Sequence, residues 1–334
     1  MKPNIRVILI QAPADVSYAL QIIAANKSLL VRVYVLNVYN VYMLLKYLKL
    51  ENCDIFYIPY PVFNLKSYRT WIHTRNDLKR IWTEHFSQII HRVKILHFFS
   101  RYEDPLCAYL VIKHIKLNKD IRIEYNNHYD PLHKEVSLLN SIRSFIKNIM
   151  MSIITGAKYD LEAYNKFPEF KVFSYDRINN VPLKYKSEVF DSWKYKANKD
   201  KTVLFLLNQL SDLKKSANIC LQIINELCAE FKRRNYTIYV KGHPRIGLSE
   251  EFRLIADEEI ESFILSEMID YKTFDYVIGV DSTSIAHAAL EKESSTYSIV
   301  DMIDLESINV IKEHLINQSN GKLKFVNNIK DVFE

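Results

Sequence analysis

The sequence predicts an α/β protein made of two successive Rossmann-like domains, and three observations predict it. Short apolar runs rich in β-branched and aromatic residues alternate with stretches of helical period along most of the 334 residues. Such alternation requires βαβ crossovers and therefore mostly parallel sheets. The alternation lapses over residues 176–201, where Asn, Pro, Ser and charges mix with little period, and resumes at Thr202. A chain of this length also has room for two hydrophobic cores. The expected domains are 1–180 and 200–334, facing a cleft, with an interdomain linker between them in which 189–194 is a candidate short helix.

Taken in order, residues 5–10 (IRVILI) form a buried-strand run, 11–15 (QAPAD) a loop and 16–25 a helix. Apolar runs at 31–36, 53–58, 93–99 and 121–125 are further strands, separated by helical periods such as 41–48, 76–91 and 106–115. A long helix is expected over 136–157 and a closing strand over 171–175. In the second domain a strand at 202–207 leads to a helix at 213–233. Strands at 236–240 and 274–280 then run straight into polar turns. Glycine is scarce, with 5 in the chain. No G-x-G-x-x-G follows the first strand and no P-loop occurs, so the usual dinucleotide and nucleoside-triphosphate fingerprints are absent.

Composition bounds the partners. The 49% hydrophobic and 25% charged content is ordinary for a globular protein, and the formal net charge is +6. The basic surplus sits in residues 1–200, while 201–334 is acidic on balance. A basic half suits an anionic acceptor, an anionic membrane surface or nucleic acid, or is a solvated cationic face. No nucleic-acid reader motif occurs, so nucleic acid is not expected. The 4 cysteines fall in mostly apolar contexts without C-x-x-C spacing, which suggests neither zinc nor disulfides. The apolar segment at the N-terminus is too short for a signal peptide and no run is long enough to span a bilayer, so the expectation is a cytoplasmic protein. Residues 149–154, beside Arg143 and Lys147, are expected on a core-facing helix, with peripheral contact with the inner membrane as the alternative.

Two polar clusters close predicted strands of the second domain: Lys241-Gly242-His243-Pro244-Arg245 and Asp281-Ser282-Thr283-Ser284. Ligands of open α/β sheets bind beyond the carboxyl ends of strands, so both clusters should converge on one ligand. The second precedes a helix-forming run, which puts Ser282 or Thr283 at a helix N-terminus, a natural phosphate site. Taken singly, a His-Pro turn and a Ser-Thr-Ser helix start are most simply a turn and an N-cap; together they can neutralise a phosphate from two sides.

The succession of residues 204–211 (LFLLNQLS), a long helix, 239–245 (YVKGHPR), 266–269 (SEMI) and 279–284 (GVDSTS) resembles the bacterial sialyltransferases and polysialyltransferases of GT-B fold. In those families an HP motif and an S-S/T motif hold a CMP-sugar, and His243-Pro244 and Ser282-Thr283 occupy the matching places. The resemblance implies that His243 assists departure of the phosphate, that Ser282, Thr283 and Ser284 bind it, and that Glu267 reaches the nucleoside. Lys241 and Arg245 flank the turn. The family's third motif, two acidic residues and a glycine, supplies the general base. Here 123–130 reads IEYNNHYD, which keeps Glu124 alone, with Asp130 and His128 as substitutes. The implied activity is an inverting, metal-independent transfer of sialic acid or a related nonulosonic acid from a CMP-sugar to a surface glycan of capsule, O-antigen or lipooligosaccharide. The donor is a substrate and no cofactor is implied. No two Asp stand two apart, so the metal-holding D-x-D pair is missing. The alternatives are a capsule or teichoic-type transferase using CMP-Kdo or CDP-glycerol, and a non-catalytic binder of polyanions.

Overall fold

A computed structural model describes residues 3–26, 28–59, 67–99, 104–126, 138–156, 178–244, 247–292, 294–305 and 308–334. The chain divides into two compact units, 1–189 and 190–334. In unit 1 the elements are β1 (Ile5–Ile10), α1 (Val16–Ala25), β2 (Leu30–Leu36), α2 (Tyr39–Tyr47), β3 (Cys53–Ile58), α3 (Tyr68–His85), β4 (Val93–Phe99), α4 (Pro105–Leu117), β5 (Arg122–Asn126), α5 (Leu138–Thr155) and β6 (Ile178–Asn180). In unit 2 they are β7 (Thr202–Leu206), α6 (Ala217–Arg233), β8 (Thr237–Lys241), α7 (Glu250–Ile255), β9 (Glu258–Ile260), β10 (Tyr276–Gly279), α8 (Thr283–Glu291), β11 (Thr296–Ser298), α9 (Ile308–Gln318) and β12 (Lys324–Phe325).

All strand pairs in both sheets are parallel. The orders are β3-β2-β1-β4-β5-β6 and β12-β11-β10-β7-β8-β9. Counted from its own first strand, each sheet therefore runs 3-2-1-4-5-6, the Rossmann order, and the chain is α/β with the two Rossmann-like units of the GT-B fold. Near-continuous Val, Ile, Leu and Phe runs produce this because strands covered by helices on both faces have no solvated side. Every residue of β7 is buried, as are all of β1 except Arg6. One core packs α3, α4 and α5 against unit 1's sheet, and another packs α6 and α7 against unit 2's.

Several expectations are corrected. The helix predicted at 76–91 begins earlier, because Ser67 caps it by accepting a bond from the Thr70 amide, and it ends at His85 before a 3-10 turn at Ile90–Arg92. Helix α6 begins at Ala217, after a 3-10 segment at Leu210–Ser216. The closing strand expected at 171–175 lies outside the described residues. The described edge strand is β6, inside the stretch taken for a linker, where Ile178 pairs with Ile123 and the Val181 amide donates to the Tyr125 carbonyl. The same stretch carries a 3-10 segment, Ser187–Trp193, with Phe190 fully buried, and Tyr195 bridges to Ile269. The 3-10 segment covers most of the short helix expected at 189–194. Among the described residues no helix is long and apolar enough to cross a membrane.

Candidate functional site

Unit 2's chain moves outward from β7 to β8 and β9, then returns to the other side of β7 through β10. The connections leaving β7 and β10 thus diverge, which opens a crevice at the carboxyl ends of the central strands. A recess lies there, lined by Leu206, Leu207 and Asn208 at the end of β7, Lys241, Gly242 and His243 at the end of β8, and Ser282 and Ser284 after β10.

The turn after β8 is held by two backbone bonds, His243 N–H to the Gly247 carbonyl at 3.1 Å and Gly247 N–H to the His243 carbonyl at 2.8 Å. A Cβ on Gly242 would stand 2.6 Å from the backbone of Gly247, so only glycine lets the two chains approach this closely. Gly247 itself has φ +81, a conformation that also favours glycine. The closed turn fixes the half-buried His243 at the recess. Lys241, the last residue of β8, is buried, and its Nζ donates to the Gly242 carbonyl at 3.0 Å. Among the described residues no carboxylate lies at ion-pair distance from it. Burial lowers the Lys241 ammonium to about 8, opposed by the nearby charge of Glu267. An ammonium has three donors, so a charge carried into this recess without a partner suits an anionic ligand.

Across the recess, Ser282 is the N-cap of α8, and its Oγ accepts from the Ser284 amide at 3.2 Å. Ser282 and Ser284 line the recess, whereas Thr283, between them, is exposed and does not. Asn208 donates to Asp281 at 3.0 Å, which ties the end of β7 to the residue before the cap. Pro244 lies in the turn but not in the lining. Glu267 is in the 3-10 segment Ser266–Met268, close enough for its charge to act on Lys241. Arg245, His128 and Asp130 fall outside the described residues. No three His, Cys, Asp or Glu side chains among the described residues gather as a metal-ligating group.

Glu124 stands in unit 1 and is not at a strand end: β5 runs two residues further, to Asn126. Its carboxylate meets Arg122 Nε at 3.0 Å, Arg6 at 3.4 Å and His97 Nδ1 at 3.4 Å. The hydrogen bond with His97, with the Arg6 and Arg122 charges behind it, holds the Glu124 carboxyl below its ordinary range against opposing burial. Burial also lowers His97. Glu124 and Arg6 border a cavity of about 370 Å³ between α1 and the sheet.

Sequence reasoning placed Asp281 in the second cluster but missed its partner Asn208, because the bond that joins them spans 73 positions. The signal available was Asn208's place directly after a buried strand.

The alpha-2,8-polysialyltransferase (POLYST) family matches residues 21–300. No curated protein matches the chain. Similar solved structures include the UDP-GlcNAc 2-epimerase from Methanocaldococcus jannaschii, with 11% identity, 98% of this chain and 90% of that chain covered and a TM-score of 0.45. The UDP-GlcNAc 2-epimerase from Neisseria meningitidis bound to UDP-GlcNAc is similar at 11% identity, covering 98% and 89%, with a TM-score of 0.41. A spinosyn rhamnosyltransferase complexed with spinosyn aglycone is similar at 10% identity, covering 98% and 88%, with a TM-score of 0.38.

Proposed function

Because the chain belongs to the alpha-2,8-polysialyltransferase family, and is thus a glycosyltransferase of the sialyltransferase type, we propose that it moves a sialic or related nonulosonic acid from a CMP-sugar to a surface glycan with inversion. Unit 2 holds the nucleotide and unit 1 the acceptor. The acceptor hydroxyl oxygen bonds to the anomeric carbon as the bond from that carbon to the phosphate oxygen breaks. The electron pair departs with CMP and the hydroxyl proton passes to a base. Charge therefore builds on the leaving phosphate, and preorganised donors must meet it there.

The observation that carries this reading is the convergence of buried Lys241, His243 and the start of α8 on one recess at unit 2's switch point. Lys241 neutralises the phosphate, His243 donates to its departing oxygen, and Ser282 and Ser284 bind the others. Pro244 restricts the turn, and Glu267 faces the nucleoside. In this reading the protein's own cation does the neutralising, so the transfer is metal-independent and the donor is the only small molecule required. For the base, the candidates remain Glu124 and Asp130. A general base works best with a pKa near the working pH. Glu124, tied to two guanidiniums and an imidazole and held below the usual range, is the weaker of the two.

Thermal stabilisation by CMP, CDP and UDP tests the nucleotide, since a ligand that binds only the native state raises Tm. CMP is expected to stabilise the protein and UDP not. Stabilisation by UDP alone overturns the reading, and consumption of CDP-glycerol but not CMP-sialic acid moves it to the teichoic-type transferases. Donor consumption by Glu124→Gln and Asp130→Asn then assigns the base: transfer is lost, with CMP binding kept, in the variant that lacks it.

A further inference from the structure

Gln11, the residue after β1, is 7% exposed, and neither Nε2 nor Oε1 of its amide has a hydrogen-bond partner. Asn126, the last residue of β5, is 1% exposed. Its Nδ2 donates to the Val181 carbonyl at 2.8 Å, while its Oδ1 accepts nothing. On β4 between them, His97 Nε2 also lacks a partner. Ile8 and Glu124 both stand level with His97. Counted from that level, Gln11 is three residues on and Asn126 two, so both amides close their strands at the carboxyl end of unit 1's sheet. The chain order of that sheet reverses between β1 and β4, which makes this its switch point.

Buried polar groups are almost always hydrogen-bonded, and one left without a partner lowers stability. At Gln11 the idle atoms are those of the side chain alone. Its backbone N–H and that of Ala12 donate to Asp15 Oδ2 at 2.8 and 2.9 Å, and Pro13 opens the 3-10 turn Pro13–Asp15. A fixed backbone thus carries an unused amide, which is a preorganised donor and acceptor. The balance of atoms selects the ligand. Two carbonyl oxygens are open against one amide nitrogen, and a phosphate or carboxylate brings no proton to either oxygen. A saccharide hydroxyl can donate to an oxygen and accept from a nitrogen, and two neighbouring hydroxyls engage both ends of one primary amide.

We propose that Gln11, with Asn126 two strands away, reads hydroxyls of the acceptor saccharide and is a specificity-determining residue of the transfer. This rests on the reading that unit 1 holds the acceptor. The basic surplus of residues 1–200 draws in an anionic glycan whatever its terminal sugar. Neutral amides distinguish one terminal sugar from another, because a missing hydroxyl leaves a buried polar group unpaired.

Gln11→Met keeps the length of the side chain and removes both polar atoms. With CMP-sialic acid as donor and a sialylated oligosaccharide as acceptor, it should raise the acceptor KM about tenfold or more. CMP affinity should not change, and Tm should stay or rise because an unsatisfied buried amide is gone. Among acceptor analogues each lacking one hydroxyl of the terminal sugar, the one that costs the wild type about tenfold should cost Gln11→Met nothing further. An acceptor KM that Gln11→Met leaves unchanged, whether or not Tm falls, gives the amide to a buried water or to folding and overturns the inference. So does an analogue series in which both proteins lose equally. Titration of the free protein with the same oligosaccharide, without donor, separates this from the transferase reading. Affinity weakened by Gln11→Met in a protein that transfers nothing removes the transferase reading alone, and a wild type that binds no oligosaccharide removes this one.

Discussion

Units 1 and 2 share one strand order, yet they treat buried charge in opposite ways. In unit 2, Lys241 ends its strand at the switch point with a single carbonyl for company and a charge that burial has made costly. In unit 1, Glu124 lies within its strand, pinned by Arg6, Arg122 and His97. A desolvated charge with no partner at a strand's carboxyl end is prepared for a ligand, whereas a charge already balanced by its neighbours is prepared for folding. Identical topology thus supplies the position, and local compensation decides how much of the charge is left for a ligand.

The contrast can be broken most severely at His243. His243→Ala is expected to lower turnover by about 10²–10⁴, the scale of general acid catalysis, with a smaller effect on CMP affinity, both read from donor consumption and nucleotide titration. Next comes Lys241→Met, which removes the uncompensated charge and should weaken CMP binding by roughly 1.5–3 kcal/mol, the scale of a hydrogen bond to a charged group. The wild type should show the matching pH dependence. Protonated Lys241 binds the anion, so CMP affinity falls as pH rises through about 8. Because its pKa is below the ordinary 10.5, the unfolded chain holds more protons than the folded one between those values, and the free protein should grow more stable across that window. A Lys241→Met protein that keeps the pH profile would remove Lys241 from the site.

Glu124→Gln sharpens the comparison from the other side. It strands Arg6 without its partner and should cost about 1–3 kcal/mol of stability in a denaturant titration while leaving CMP affinity intact. The Glu124 carboxyl is lowered in the fold, so its contribution is present above the ordinary carboxylate range and lost as pH falls through the folded value. The smallest effects divide two neighbours. Ser282→Ala loses a helix cap and should cost about 1 kcal/mol. Thr283→Ala, exposed beside it, should change CMP binding by less than about 0.5 kcal/mol. A larger loss at Thr283 would bring its hydroxyl back to the phosphate.

Much of the fold was legible because buried parallel strands announce themselves as apolar runs; β1, β3, β4 and β7 required nothing else. Strands β6, β9, β11 and β12 are two or three residues long and form only against neighbours already in place, so no periodic signal precedes them. The turn after β8 and the start of α8 were readable from His-Pro and Ser-Thr-Ser. Which two of the three hydroxyls face the recess was not, since that depends on the helical phase set by the cap at Ser282. Two of the partners of Glu124 were hidden by distance: Arg6 is 118 positions away and His97 is 27.

The segment joining the sheets bears on recombining such enzymes. A hybrid that takes its first unit from this chain must carry β6 with it, or the sheet loses its edge strand and Tyr125 its bond to Val181. One that takes the second must carry Tyr195, whose amide and carbonyl bond the backbone of Met268 and Asp270 beside Glu267. The crossover therefore belongs between Lys186, which is bonded to Ser17 of α1, and Tyr195. A splice within those few positions would exchange unit 1 while the recess of unit 2 travelled intact, and under the proposed division of roles it would change the acceptor and keep the donor.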